Sequence, residues 1–462
     1  MLARAFKSGR AASVCASRIA STRKTFLVTS VQSRCFATAA AKLESKQRLE
    51  YVLHRSPEKK NLVILGTGWA GFRICRSIDM NQYNVTVVSP RNHFLFTPLL
   101  PSTTTGTLEF RSIIEPIRTV EGLSYLQAKC VDIDTENNLI KCRDEFSDKE
   151  FDLDYDDLVV SVGARNATFN VPGVEPDKVF FLRNLEHARA LRNRIIENFE
   201  RASNPFVSRE EARRLLTFVI VGGGPTSVEF AAELHDFVTQ DVAVWYPDLQ
   251  AQVRMELLEA GPQLLSAFDR TLRDYTLKTF RKRNVMVRLG TSVEKVTDEA
   301  VYLSDGDVIP SNCIVWSTGN SPTPLIENTS FPTKQGRLVV DDHLRIKDNV
   351  FALGDCAVTP DNLPPTAQVA QQEGAYLAKL LNAKAKGKMF DPAFNYSHRG
   401  MMAYVGEFRA LASIKGTSVT GFGGWFLWRS AYLTQLMSWK NKMLVPMFWL
   451  KSFIFGRDIS RF

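Results

Sequence analysis

Two glycine-rich turns, Gly66-Thr-Gly68-Trp-Ala-Gly71 and Gly222-Gly223-Gly224-Pro225-Thr226, stand 156 positions apart, each after a short apolar run. In a strand–turn–helix unit, the first glycine permits the sharp bend and the second admits a pyrophosphate against the backbone. The third lets helix and strand pack closely. The phosphates then rest on the helix N-terminus, where free N–H groups and the helix dipole favour negative charge. One such turn is weak, because glycine also marks ordinary tight turns. Two in one chain imply two dinucleotides held face to face, an arrangement suited to electron transfer from a nicotinamide to a flavin.

The residues that end the following strands sharpen this. Glu259 lies 35 positions after Gly224, with an insertion near residues 246–249 accounting for the spacing. A carboxylate there accepts hydrogen bonds from the ribose hydroxyls of NADH and repels a 2′-phosphate, so NADH is expected over NADPH. The equivalent position of the first unit is Ser89, followed by Pro90 and Arg91. Its hydroxyl can reach a ribose but supplies no charge. Asp355, in Phe351-Ala-Leu-Gly354-Asp355, is an acid at a strand end that can grip the ribityl chain of a flavin adenine dinucleotide.

Other groups carry two readings. Gln368, Gln371 and Gln372 share one face of a helix opened by Pro364 and Pro365. They can hydrogen-bond a flavin edge or a quinone carbonyl, or form a polar surface stripe. Glu229, one to two turns into the second glycine helix, can point toward the nicotinamide and flavin or sit as a surface residue. The loop His93-Phe-Leu-Phe-Thr97-Pro98-Leu99-Leu-Pro101 can wall off a flavin ring or fill core. The cysteines beyond the first 40 residues, Cys75, Cys130, Cys142, Cys313 and Cys356, form no C-x-x-C or C-x4-C pair. No metal site, iron–sulfur cluster or redox disulfide is expected from them.

The elements that must position these groups alternate strand and helix, which implies parallel sheets wound on both sides. The expected architecture is α/β, with two Rossmann-like dinucleotide-binding domains. The first runs over residues 59–180 and the second, for NADH, over 181–322. The chain re-enters the first domain at 323–385. Residues 386–462 form a C-terminal region.

The charge of +9 is concentrated at the start. Residues 1–40 hold seven basic residues and no acid, and removing these seven from 58 leaves 51 basic against 49 acidic. This argues against nucleic-acid binding. Residues 1–36 have the Arg-, Ser- and Ala-rich make-up of a mitochondrial transit peptide, with cleavage expected after Phe36 and a polar linker over 37–58.

From Phe408 onward there are eight basic residues and one acid. Trp425, Trp428, Tyr432, Leu436, Trp439 and Met443 follow at spacings of three and four, which suggests one face of an amphipathic helix ended by Pro446. The longest uncharged run, 416–428, has 13 residues, against the roughly 18 needed to span a bilayer. The segment is expected to lie in the membrane interface, with Arg429, Lys440, Lys442 and Lys451 facing phosphates. A domain lid or dimer face is the other reading.

In combination the motifs closely resemble the mitochondrial type II (alternative, non-proton-pumping) NADH:ubiquinone oxidoreductases, particularly the fungal internal kind. The resemblance covers nearly everything after residue 60. It rests on both glycine turns, Ser89-Pro-Arg91, Phe94–Pro101, Ser161-Val-Gly163-Ala164, Trp316-Ser-Thr-Gly319-Asn320, Gly354-Asp355, Leu363-Pro-Pro-Thr-Ala367-Gln368 and Gly456-Arg-Asp-Ile459. It implies the glutathione reductase type of fold, non-covalent FAD, a C-terminal membrane anchor, a homodimer and ubiquinone as electron acceptor. By position, Gln368 would sit at the flavin–quinone edge and Glu229 at the nicotinamide, while Gln371 falls where a fungal relative carries histidine. No calcium-binding loop interrupts the NADH unit, which favours the matrix face of the inner membrane. Two rivals share the fold. A sulfide:quinone oxidoreductase would need Cys130 and Cys356 to flank a flavin, and an apoptosis-inducing-factor-like protein would use its flavin to control partner binding.

Overall fold

The computed structural model describes Leu53 and residues 55–390, 392–414 and 417–461. The basic leader and the cleavage site expected after Phe36 lie outside the described residues. Residues up to Lys59 form one unit and Lys60–Phe462 another, and the chemistry expected from the motifs belongs to the second.

Strand Lys60–Leu65 lies inside a six-stranded sheet because Leu62 to Leu65 are buried on both faces. It pairs in parallel with Tyr83–Val88 on one side and Asp157–Val160 on the other. The late strand Val350–Ala352 then pairs in parallel with Asp157–Val160, through Val350↔Leu158 and Phe351↔Val159. This register brings Gly354-Asp355 to the same sheet end as Gly66. A second, five-stranded parallel sheet has the order Phe180–Phe181, Cys313–Trp316, Thr217–Val221, Arg254–Glu259, Val285–Leu289. The expected α/β class is the observed one, with two parallel sheets, the first carrying one antiparallel edge strand, Arg345–Lys347.

The two sheets use the same corner. Gly66 has φ +103° and Gly222 has φ +113°, the left-handed region that excludes most side chains. A Cβ on Gly66 would lie 2.4 Å from the Ser161 carbonyl oxygen, and one on Gly222 would lie 2.6 Å from that of Ser317. Each glycine turn is therefore pressed against a Ser-x-Gly segment, Ser161-Val-Gly163 or Ser317-Thr-Gly319. The helix Ala367–Ala385 packs on the first glycine helix, Trp69–Cys75, with equal intimacy. A Cβ on Gly374 would come within 2.7 Å of the Ala70 carbonyl oxygen.

The C-terminal region opens with the antiparallel strands Met401–Gly406, Arg409–Ile414 and Thr417–Val419. The single amphipathic helix expected after it is instead two helices, Gly421–Gln435 and Trp439–Phe455. Pro446 does not end the second but lies inside it. Proline removes one N–H from the ladder, and burial of Val445 and Trp449 on either side holds the helix together across the gap. The stripe also divides. Trp428 and Leu436 are each 3 % exposed and face the protein, whereas Trp439 is 82 % exposed. The outward stripe is Trp439, Met443, Met447, Leu450 and Ile454, joined by Phe422 and Phe426 of the first helix. Arg429 does not face outward alone, because its guanidinium is stacked 4.2 Å from the rings of both Trp425 and Trp449. No helix among the described residues is long and apolar enough to cross a membrane.

Candidate dinucleotide cleft

Both glycine turns open on one cleft of about 730 Å³. Gly68 caps the first glycine helix and Gly224 caps the second, Pro225–Phe237, and neither helix start has a side-chain cap or an acidic residue in its first turn. The first N–H groups of both helices are thus free to meet an anion. A Cβ on Gly68, Gly163 or Gly224 would meet nothing within 4 Å, so these backbones face open space. The cleft wall also includes Arg91, Thr97, Pro225, Thr226, Gly319, Asp355 and Ala367. Gly319 is fixed by its neighbours, since a Cβ there would lie 2.5 Å from the Phe169 ring.

The first turn is braced from below. Ser89, expected as a ribose ligand, is buried and pairs its hydroxyl with that of Thr67 at 3.2 Å. It also accepts from the Arg91 N–H at 3.3 Å. Thr67 in addition lies 3.0 Å from the carbonyl oxygens of Arg91 and His93. Tyr125 donates to the Ser89 carbonyl at 2.9 Å. This cluster holds the 89–93 turn that presents Arg91 to the cleft, while Ser89 itself is not part of the wall. In the loop that follows, the Trp69 indole donates to Thr97 Oγ1 at 3.0 Å, Pro98 is half-buried and Leu99 is fully buried. The loop therefore lines the cleft through Leu95, Thr97 and Leu100 and fills core with Phe94, Phe96 and Leu99.

Glu259 ends the second strand and spends both oxygens on backbone. It accepts from the Gly223 N–H at 2.5 Å and from the Gly261 N–H at 2.6 Å. A Cβ on Gly223 would lie 2.6 Å from this carboxylate, so only glycine lets the acid close on the turn. Asp355 accepts from Arg183 at 3.1 Å, and the same guanidinium donates to Asn320 at 2.9 Å. Burial pushes Asp355 up and Arg183 down, each against its charged form, and their mutual attraction offsets only part of this. Burial, and then Arg183 and Arg91, also lower His187 on the same wall.

Three more expected residues, like Ser89 and Glu259, lie outside the wall. Glu229 is not in the cleft wall. One turn past Thr226 its helix has run beneath the C-terminal region, where Glu229 Oε1 accepts from the Tyr404 N–H at 3.1 Å and the Trp428 indole at 3.3 Å. Burial pushes Glu229 up to about 8. Further along, Glu233 accepts from Ser102 at 2.7 Å and Thr107 at 2.6 Å, with the Arg457 guanidinium 4.0 Å away. Arg457 pairs with Asp241 at 2.8 Å, and Tyr404 donates to Asp236 at 2.6 Å. Gln368 likewise turns from the cleft. Its amide donates to the Gly400 carbonyl at 2.6 Å and accepts from the Arg399 N–H at 3.2 Å. Gln372 does the same for Ser397, at 2.9 and 3.0 Å. Gln371 is half-buried on that helix and outside the wall.

Sequence reasoning missed Arg183, which no motif or spacing singles out. It also passed over Glu373, although this acid closes the glutamine run. The cysteines of the sulfide-oxidising rival are not a pair. Cys130 faces Cys142 across an outlying antiparallel sheet, whereas Cys356 is buried behind the cleft, and neither lines it.

The sequence profile of the pyridine nucleotide-disulphide oxidoreductase family matches residues 60–374, and that of the NDH2 C-terminal domain matches residues 398–458. A probable NADH dehydrogenase of Dictyostelium discoideum is 46% identical, over 88% of this chain and 92% of the relative. The mitochondrial internal alternative NAD(P)H-ubiquinone oxidoreductase A1 of Solanum tuberosum is 40% identical, over 88% and 89%. The structure of NDH2 from Plasmodium falciparum in complex with NADH superposes with a TM-score of 0.84 at 27% identity, covering 87% of this chain and all of that one. With two glycine turns on one cleft and the matching C-terminal domain, the chain belongs to the type II NADH:ubiquinone oxidoreductases of the pyridine nucleotide-disulphide oxidoreductase family.

Proposed function

We propose that the chain oxidises NADH and reduces ubiquinone without moving protons across a membrane, using a non-covalently held FAD. The observation that carries this is the opening of both glycine turns and Asp355 onto one cleft. The cradle fits two dinucleotides, since Gly68, Gly163 and Gly224 leave open space where a side chain would stand.

In this reading the first turn, Arg91, Thr97, Gly163, Asp355 and Ala367 hold the FAD. The uncapped helix start takes the pyrophosphate, Arg91 adds positive charge, and Asp355 takes the ribityl hydroxyls. When bound, the flavin supplies the two-electron chemistry. The second turn, Gly222–Thr226 with Gly319, takes the pyrophosphate of NADH. Glu259, fixed by two N–H groups, accepts from the ribose hydroxyls and disfavours a 2′-phosphate by like charge. The apolar wall of Trp69, Leu95 and Leu100 limits water at the reacting end. Glu229 and Gln368 act from outside this wall, by joining the C-terminal region to the two nucleotide-binding units.

The outward stripe Trp439, Met443, Met447, Leu450 and Ile454, flanked by exposed Lys440 and Lys451, supports attachment to the inner-membrane surface, and the matrix side is the one we propose. Met447→Asp with Leu450→Asp then lowers flotation with vesicles of inner-membrane lipid composition while flavin content is kept. Protease protection in intact against ruptured inner membranes tests the side, and the mass in light scattering tests the homodimer.

The function itself is tested anaerobically by stopped flow. The FAD-loaded protein is mixed with NADH or NADPH and then with a short-chain ubiquinone, while flavin absorbance is followed. Fast bleaching by NADH, slower bleaching by NADPH and fast recovery with quinone are expected. Bleaching by sulfide and not by NADH, or recovery too slow for turnover, overturns the reading.

A further inference from the structure

We infer that Glu373 is a positioning residue for the flavin: from behind the cleft it fixes the Gly354-Asp355 turn, and its charge tunes the flavin's reduction. The inference rests on the flavin reading of the cleft given above. Glu373 lies in the helix Ala367–Ala385 and is 2 % exposed. Its Oε2 accepts from the Gly354 N–H at 2.7 Å. Gly354 has φ +77°, a left-handed turn, and Ala370 of the same helix packs 3.5 Å from where a Gly354 Cβ would stand. One helix thus holds the turn by an acceptor and by contact, and the next residue, Asp355, projects into the cleft toward Arg183.

The helix is itself registered on the first glycine helix through Gly374 and Ala70. Glu373 therefore links the two chain segments, far apart in sequence, that close on the same ligand. Among the described residues no basic side chain forms an ion pair with it, although Arg337 acts on it through space. Arg337 spends its guanidinium on the carbonyl oxygens of Ala357 and Leu363 and on Asn362. The Cys356 thiol lies against the carbonyl oxygens of Val160 and Leu353. The charged group nearest in function is Asp355, another acid. Burial, with Asp355 and against the Gly354 N–H and Arg337, pushes Glu373 up to about 7. A buried carboxylate that gains charge near neutral pH opposes the negative charge a flavin acquires on reduction.

Three variants of the full chain decide this: Glu373→Gln, Glu373→Ala, and Gln372→Ala, which removes the neighbouring amide that holds Ser397. Deflavinated protein is titrated with FAD, and the flavin midpoint potential is measured from pH 6 to 8. E373Q keeps an acceptor for the Gly354 N–H and should bind FAD within about threefold of wild type. Its potential should match wild type at pH 6 and lie more positive at pH 8. E373A should bind FAD about tenfold more weakly, the worth of one lost charge-assisted hydrogen bond. Hydrogen exchange at the Gly354 amide of its apoprotein should quicken. Q372A should leave affinity and potential unchanged. FAD binding by E373A equal to wild type, with potentials that coincide across the pH range in E373Q, overturns the proposal. Wild-type protein that takes up no FAD overturns the flavin reading instead.

Discussion

The two glycine turns share a corner and differ in what surrounds it. The first is faced across the cleft by three other stretches of chain: Arg91 to Leu100, Gly163 after the neighbouring strand, and the returning Gly354-Asp355 with Ala367. Its strand-end residue, Ser89, is sunk into a hydroxyl cluster with Thr67. The second turn is met by Ser317–Gly319 and Leu264–Leu265, and its strand-end residue Glu259 is held against the turn by two backbone N–H groups. A ligand wrapped by three segments dissociates only if the segments part, whereas one seated on a single turn and an acid can come and go. On the flavin reading proposed above, the first corner would keep a resident cofactor and the second would exchange a substrate.

Substitutions can test that asymmetry. The largest effect is expected at the corner glycines, where a left-handed φ and a Cβ under 3 Å from a backbone carbonyl together cost about 3 kcal/mol or more. Gly66→Ala should yield protein without bound flavin. Gly222→Ala should retain the flavin spectrum yet fail to be bleached by NADH. Loss of flavin from both would erase the distinction.

The helices after the turns differ as well. The first buries no acid, and the second buries Glu229, Glu233 and Asp236. Glu229 is raised to about 8, so the folded state keeps a proton that the unfolded state releases. That contribution is complete below the ordinary carboxylate range and is lost as pH rises toward 8. Between pH 5 and 8 the wild type should lose roughly 3 kcal/mol relative to Glu229→Gln, as read by denaturant titration at each pH. Parallel curves for the two proteins would mean that Glu229 is already charged.

Exchanging the strand-end residue is the next step down. Glu259→Ser gives the second unit the residue of the first, and should raise the KM for NADH about tenfold while narrowing its preference over NADPH. Steady-state kinetics with both nucleotides checks this. The smallest effect belongs to Thr67→Val, which removes a buried hydroxyl bracing the 89–93 turn. A loss of about 1 kcal/mol in thermal unfolding of the flavin-loaded protein is expected, with NADH affinity untouched.

What could be read from the sequence was what local backbone geometry dictates. Gly66 and Gly222 must be glycine because of a bend and a carbonyl, and Glu259 must end a strand for its unit to hold a ribose. The parallel sheets, the return at Gly354-Asp355 and the helix beginning at Ala367 followed from apolar runs and proline placement. Side-chain direction was another matter. Gln368 and Glu229 sit where their motifs put them, yet their partners lie 31 and 199 positions away, in segments whose approach no periodicity encodes. The C-terminal stripe misled for a related reason. Both faces of those helices are apolar, so spacing alone could not tell the face toward protein, with Trp428, from the face toward solvent, with Met443.

The pairing of Arg457 with Asp241 and Glu233 has a consequence for how the molecule is made. The carboxylates lie in the middle of the NADH unit, and their cation follows Asp241 by 216 positions. On a ribosome, that unit can assemble its sheet and glycine turn early. It must then wait, with acids it cannot bury unaccompanied, until Arg457 emerges. Burial of these acids is thereby tied to arrival of the segment that follows the C-terminal helices.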